Sequence, residues 1–108
     1  MKTQIQLDIN NLLEEMTRMQ TQIAIASILH KLLQQRHLDI EEVSPHLRLR
    51  ADLGFESLDI VNLVVAIEEK FQQKLCFAQL LMKDGQYVDD LNVEQLVTFV
   101  VSKLHHSN

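Results

Sequence analysis

The chain has 108 residues, a single cysteine, a hydrophobic fraction of 46% and a net charge of −5, which suits one globular domain with a modest core. One cysteine excludes an internal disulfide and a cysteine-built zinc site, and no apolar run reaches the length of a membrane span. Residues 51–108 carry four basic and nine acidic side chains, against six of each in residues 1–50; this argues against nucleic acid, which needs a basic footprint, and favours basic protein partners.

Only two glycines and one proline interrupt the chain, and β-formers are not arranged in alternating runs. The composition therefore predicts an all-α domain. The lone Cys76 fits a reducing compartment, and Met1-Lys2-Thr3-Gln4 lacks a secretory apolar core. A cytoplasmic protein is the expectation. Cys76 lies between Leu75 and Phe77, which predicts a packed thiol.

In residues 1–20, Ile5, Ile9, Leu12, Met16 and Met19 recur at three- and four-residue steps that continue to Ile23, a helical pattern. Asn10 and Asn11 weaken its first turn. Three forms fit: a short separate helix packed on the domain, an extension of the next helix, or a loose tail. Docking or dimerisation is its functional reading, and an ornamental extension the plainer one. Residues 21–36 read as the first core helix, with Thr21 as cap and an apolar face of Ala24, Ile25, Ile28, Leu29, Leu32 and Leu33. In the connection that follows, Leu38, Ile40 and Val43 are expected to turn inward and Asp39, Glu41 and Glu42 outward. Leu47 and Leu49 alternate with Arg48 and Arg50, which tucks the leucines under the bundle and leaves the arginines wet.

The connection ends in Asp52-Leu53-Gly54-Phe55-Glu56-Ser57-Leu58-Asp59. Gly54 marks a backbone requirement such as positive φ, and Ser57 stands where helical periodicity resumes. A helix start exposes free N–H groups and the positive end of the macrodipole, so it favours a phosphate. Serine there is also among the best N-caps, and spacing alone favours that plainer role. The helix from Ser57 to about residue 73 has two stripes. Ile60, Leu63, Val64, Ile67 and Phe71 form the natural core side; Leu58, Val61 and Val65, with Asn62, Glu68 and Glu69, lie roughly opposite. An apolar stripe rimmed by acids is the makeup of a docking patch, unless the N-terminal segment covers it.

Residues 77–82 predict a short helix, Lys83-Asp84-Gly85-Gln86 a turn, and Tyr87 to Leu91 a turn with apolar anchors. Asn92 and Gln95 have capping-box spacing, and Val93, Leu96, Val97, Val100, Val101 and Leu104 form the face of a last helix. There is no Gly-rich phosphate loop and no Cys/His metal spacing. Ser57 has no evident His and Asp partners in sequence. Nothing here supports catalysis by the chain.

The Asp52–Asp59 motif, followed by Leu63-Val64-Val65-Ala66-Ile67-Glu68-Glu69-Lys70-Phe71, resembles the acyl carrier protein family, with similarity from about Ile23 to Leu104. That family has Asp-Leu-Gly-x-Asp-Ser-Leu and an acidic helix ending in Glu-Glu-x-Phe. The resemblance implies a four-helix bundle of three long helices and one short. Residues 1–20 are then an extension and residues 21–108 the carrier domain.

It also implies a 4'-phosphopantetheine arm on Ser57, taken from coenzyme A by a phosphopantetheinyl transferase that uses magnesium. The arm presents acyl thioesters to enzymes of fatty-acid, polyketide or specialised lipid synthesis. Partners implied are the transferase and acyl-transferring and ketosynthase-type enzymes with basic docking surfaces, with the carrier a monomer. Leu58, Val61 and Val65, with Glu56, Asp59, Glu68 and Glu69, are the docking residues. Leu63, Ile67 and Phe71 are candidates to line an acyl pocket between helices. Glu56 departs from the family's aspartate, which puts efficiency with a given transferase in question. Asn62 replaces a common acid, and bulky Phe55 is a candidate to shield the arm or join the docking patch. The alternatives are an aminoacyl or peptidyl carrier of the same fold, whose motif usually lacks an acid before the serine, and an unmodified helical interaction module.

Overall fold

Four helices make up the computed structural model, which describes residues 2–36 and 42–105, with side chains from residue 9 to residue 104 among them. They are α1 (Lys2–Gln35), α2 (Ser57–Phe71), α3 (Ala78–Leu81) and α4 (Val93–His105). The expected all-α class, three long helices and one short, is the class the chain adopts. A two-stranded antiparallel hairpin, β1 (Met82–Lys83) and β2 (Gln86–Tyr87), adds to it between α3 and α4. Its turn residues Asp84 and Gly85 have φ of 54° and 78°, as a two-residue hairpin turn demands.

α1 runs through residues 2–20 and 21–35 without a break. Thr21 is therefore no cap: it is buried inside the helix. No glycine or proline occurs before Pro45, so nothing in the backbone stops the helix earlier. α1 packs on α2 and α4, with Arg18 already reaching Thr98 of α4. Ile25, Leu29 and Leu33 enter the core, meeting Leu63 and Ile67 of α2 and Leu96, Val97 and Val100 of α4. The faces expected for α2 and α4 are those observed. Asn92 and Gln95 form a reciprocal cap: each backbone N–H donates to the other's side-chain oxygen, at 2.9 and 2.8 Å.

Val43 is buried and Glu42 exposed, as expected; the expectations for Leu38, Ile40, Asp39 and Glu41 lie outside the described residues. Leu49, Leu53 and Phe55 are buried and Leu47 half-buried, with Arg48 and Arg50 exposed. This loop docks on the start of α4. The Leu49 N–H donates to the Leu91 carbonyl at 2.8 Å and the Val93 N–H to the Leu47 carbonyl at 3.0 Å. Cys76 is exposed rather than packed. Its φ of 56° places it at a sharp turn whose flanking residues, Leu75 and Phe77, take the inward positions.

Candidate functional site

Two aspartates shape the loop that leads to Ser57. Asp90 Oδ1 accepts the N–H groups of Arg50 at 2.9 Å and Leu91 at 2.8 Å, and Oδ2 accepts that of Ala51 at 3.0 Å. Partial burial raises the Asp90 pKa, but these three donors outweigh it and hold the carboxyl below its ordinary value. Asp52 Oδ2 accepts the Arg48 N–H at 2.8 Å and Arg48 Nε at 3.3 Å. The backbone donor first, and the guanidinium second, lower its pKa.

The chain then reverses. The Gly54 N–H donates to the Arg50 carbonyl at 3.0 Å and the Phe55 N–H to the Leu49 carbonyl at 2.9 Å. Gly54 has φ +69° with open space where a Cβ would stand. Its requirement is the left-handed backbone, not close approach. Phe55 neither shields an arm nor joins a surface patch: it is buried in the core, with the Arg36 guanidinium carbon 5.8 Å from its ring centre. The bond to Leu49 directs its side chain inward.

Ser57 is not the N-cap. Glu56 holds that position, with extended backbone, and Ser57 is the first helical residue. The Asp59 carboxylate completes the cap, accepting the Glu56 N–H at 2.8 Å. Serine is thereby released from capping. It is exposed, and its hydroxyl has no hydrogen-bond partner among the described residues. The first N–H groups of α2 and the positive pole of its dipole lie at this end, suited to a phosphodiester.

Beside Ser57 opens a cavity of about 290 Å³. Ile60, Val61, Leu81, Val88 and Leu91 make it largely apolar, and Arg50, Asp90 and Tyr87 add polar groups. The lining differs from the one expected. Leu63 and Ile67 are fully buried in the core and Phe71 is half-buried, and none of the three lines this cavity. The cavity meets only the first turns of α2, at Ser57, Ile60 and Val61; Leu63 and Ile67, on the same core side as Ile60, lie further along the helix and are buried in the core. The hairpin and the Val88–Leu91 segment, which supply the far wall, carried no sequence signal for this role beyond the Asp84-Gly85 turn.

Along α2, Leu58, Val61 and Val65 are 70%, 55% and 47% exposed, and among the described residues nothing covers them. The acids around them differ. Glu56 and Glu69 are exposed. Asp59 accepts from Arg36 Nη1 at 3.1 Å as well as from the Glu56 backbone. Glu68 is half-buried, and its Oε2 accepts the Leu75 N–H at 2.9 Å. Arg36 and Arg50 are site residues that sequence reasoning did not single out.

An exposed serine on the first turn of a helix, an apolar cavity beside it and an open acid-rimmed stripe lie together on one helical domain. The class of this domain follows from comparison with known proteins. Residues 24–85 match the family described as "Phosphopantetheine attachment site". An acyl carrier protein of Helicobacter pylori is 33% identical over 67 residues, covering 62% of this chain and 77% of the relative. That of a second strain is 42% identical over the same coverage. One from Helicobacter hepaticus is 50% identical over 38 residues, 35% of this chain and 50% of the relative. No solved structure matches the chain. The chain belongs to the acyl carrier protein family, whose prosthetic group is covalent 4'-phosphopantetheine.

Proposed function

We propose that Ser57 bears the phosphopantetheine arm and that the protein presents acyl thioesters on it to enzymes of fatty-acid, polyketide or specialised lipid synthesis. The observation that carries this reading is the exposed Ser57 hydroxyl on the first turn of α2, freed because Glu56 and Asp59 do the capping. When bound, the arm supplies a terminal thiol that holds the acyl group as a thioester. The chain's own residues position and shelter. The helix start favours the phosphodiester. Arg50 stands as a cation in the cavity wall that Ser57 shares. Ile60, Leu81, Val88 and Leu91 offer an apolar bay to an acyl chain.

Leu58, Val61 and Val65, with exposed Glu56 and Glu69 beside them, fit a basic, partly apolar surface on the transferase and on acyl-transferring or ketosynthase-type enzymes. The half-buried Asp59 and Glu68 support this face from within; each has an oxygen committed to a bond inside the chain. The protein then acts as a carrier and not as a catalyst, in the cytoplasm where those enzymes work. Intact-mass measurement after incubation with coenzyme A, magnesium and a broad-specificity transferase tests the reading. An increase of one phosphopantetheine is expected, and Ser57→Ala removes it. No increase in the parent chain sinks the reading, and an increase that survives the substitution moves the arm elsewhere.

A further inference from the structure

α1 has two apolar sides, and only one of them is covered. Ile25 is fully buried against the domain, whereas Ile23, two residues and roughly 160° around the helix from it, is 64% exposed. Ile23 ends a stripe with Ile9, Leu12, Met16 and Met19, all of them exposed. The steps along it are three, four, three and four residues, and Ile5 continues the alternation in sequence. An average step of 3.5 residues, not 3.6, is the spacing of a helix that packs against another helix along a narrow seam.

The same outward side changes character further on: past the stripe it carries Ser27, His30 and Gln34. The apolar side chains therefore stop where the domain takes over the opposite face. The stripe faces away from the domain, so a second helix can lie along it without meeting α2 or α4.

We infer that this stripe is the seam of a dimer, and that its occupant is the α1 helix of a second copy of this chain. Residues 5–23, just under three heptads, span roughly 28 Å. Pairing the stripes of two copies removes on the order of 1,000 Å² from water, the threshold for a specific interface. A bilayer fits less well. Glu15 flanks the stripe, and Arg18 is committed to α4 through Thr98 at 3.0 Å, whereas helices that lie on lipid carry a cationic polar face. The inference replaces the monomer expected from the sequence and does not depend on the arm at Ser57.

Sedimentation equilibrium of the full chain across 1–200 µM tests it. A mass rising to twice 12.5 kDa is expected. The double substitution Leu12→Glu with Met16→Glu, both at exposed positions, should hold the mass at one chain and lower the association constant at least tenfold. Its circular dichroism and its loading by the transferase should stay unchanged. A wild-type chain that stays at one chain's mass, an assembly other than a dimer, or a dimer that survives the double substitution overturns the inference. Pelleting of a monomeric wild type with phosphatidylglycerol vesicles would also overturn it and assign the stripe to lipid.

Discussion

Arg36 reaches from the turn that ends α1 to Asp59 in the first turn of α2, its Nη1 donating to Oδ2 at 3.1 Å. The same oxygen accepts the Glu56 N–H at 2.8 Å. One carboxylate thus caps the helix that begins with Ser57 and anchors it to the longest element in the fold. The two bonds are unequal. Both partners of the ion pair are partly exposed, so it is worth about 0.5 kcal/mol. Removal of Asp59 also leaves a cap unmade, about 1–2 kcal/mol in total. Asp59→Ala should therefore lower the urea midpoint more than Arg36→Ala. Equal losses would show that the cap contributes little.

Gly54 separates backbone requirement from packing. Its φ is +69° and nothing stands within 4 Å of where a Cβ would lie, so Gly54→Ala meets no clash and incurs only the left-handed strain, about 1 kcal/mol. Gly54→Val adds β-branching and should cost more. Chemical denaturation of the two variants checks the order. An alanine variant as stable as the parent chain would mean that the turn relaxes to another geometry, and loading at Ser57 would report whether the serine still presents.

Acid should loosen the loop before Ser57 selectively. Asp52 and Asp90 both have pKa values below the ordinary 3.8 in the folded chain. A carboxylate with a depressed folded pKa adds stability that is fully present above its unfolded value and disappears as pH falls through the folded one. The melting temperature should thus be flat from pH 7 to 5 with respect to these groups, then fall below about pH 4. Asp90→Ala removes the acceptor of three N–H groups. It should cost about 1–2 kcal/mol at pH 7 and make the decline below pH 4 shallower. An unchanged acid slope in that variant would remove Asp90 from the account.

What the sequence revealed follows the range of each interaction. The reciprocal cap of Asn92 and Gln95 spans three residues, and the two faces of α2 repeat within one helix, so both are visible in the order of side chains. The Asp90 bonds to Arg50 and Ala51 join positions 40 and 39 residues apart, and no local pattern announces them. The cavity wall is hidden for the same reason, since Leu81, Tyr87 and Val88 come to Ser57 only through folding. Where local signals misled, a neighbour took the role instead. Ser57 is a good cap by type, but Glu56 precedes it with Asp59 three residues on. Cys76 sits among apolar residues, but Leu75 and Phe77 take the inward positions. Asn10 and Asn11 argued for a weak helix start, and the lack of glycine and proline through residue 44 proved the stronger signal.

Adjacent glutamates should behave as different kinds of residue. Glu69 is exposed and accepts no side-chain hydrogen bond among the described residues, whereas Glu68 Oε2 holds the Leu75 N–H at 2.9 Å. Leu75 is almost fully buried, so this bond fixes the chain as it leaves α2 and turns toward α3. Glu69→Lys places a cation beside Val65 without disturbing a contact. It should leave the melting temperature within about 1 °C, since surface changes stay within ±0.5 kcal/mol, and slow transferase loading several-fold at low salt. That deficit should shrink by 0.5 M salt, where the Debye length falls to roughly 4 Å. Glu68→Ala should do the reverse, costing about 1–2 kcal/mol of stability with a smaller change in loading. Stopped-flow loading at two ionic strengths, paired with thermal melts, distinguishes the two. If Glu69→Lys loads at the parent rate, the acid-rimmed stripe does not steer the transferase and the docking surface lies elsewhere on the domain.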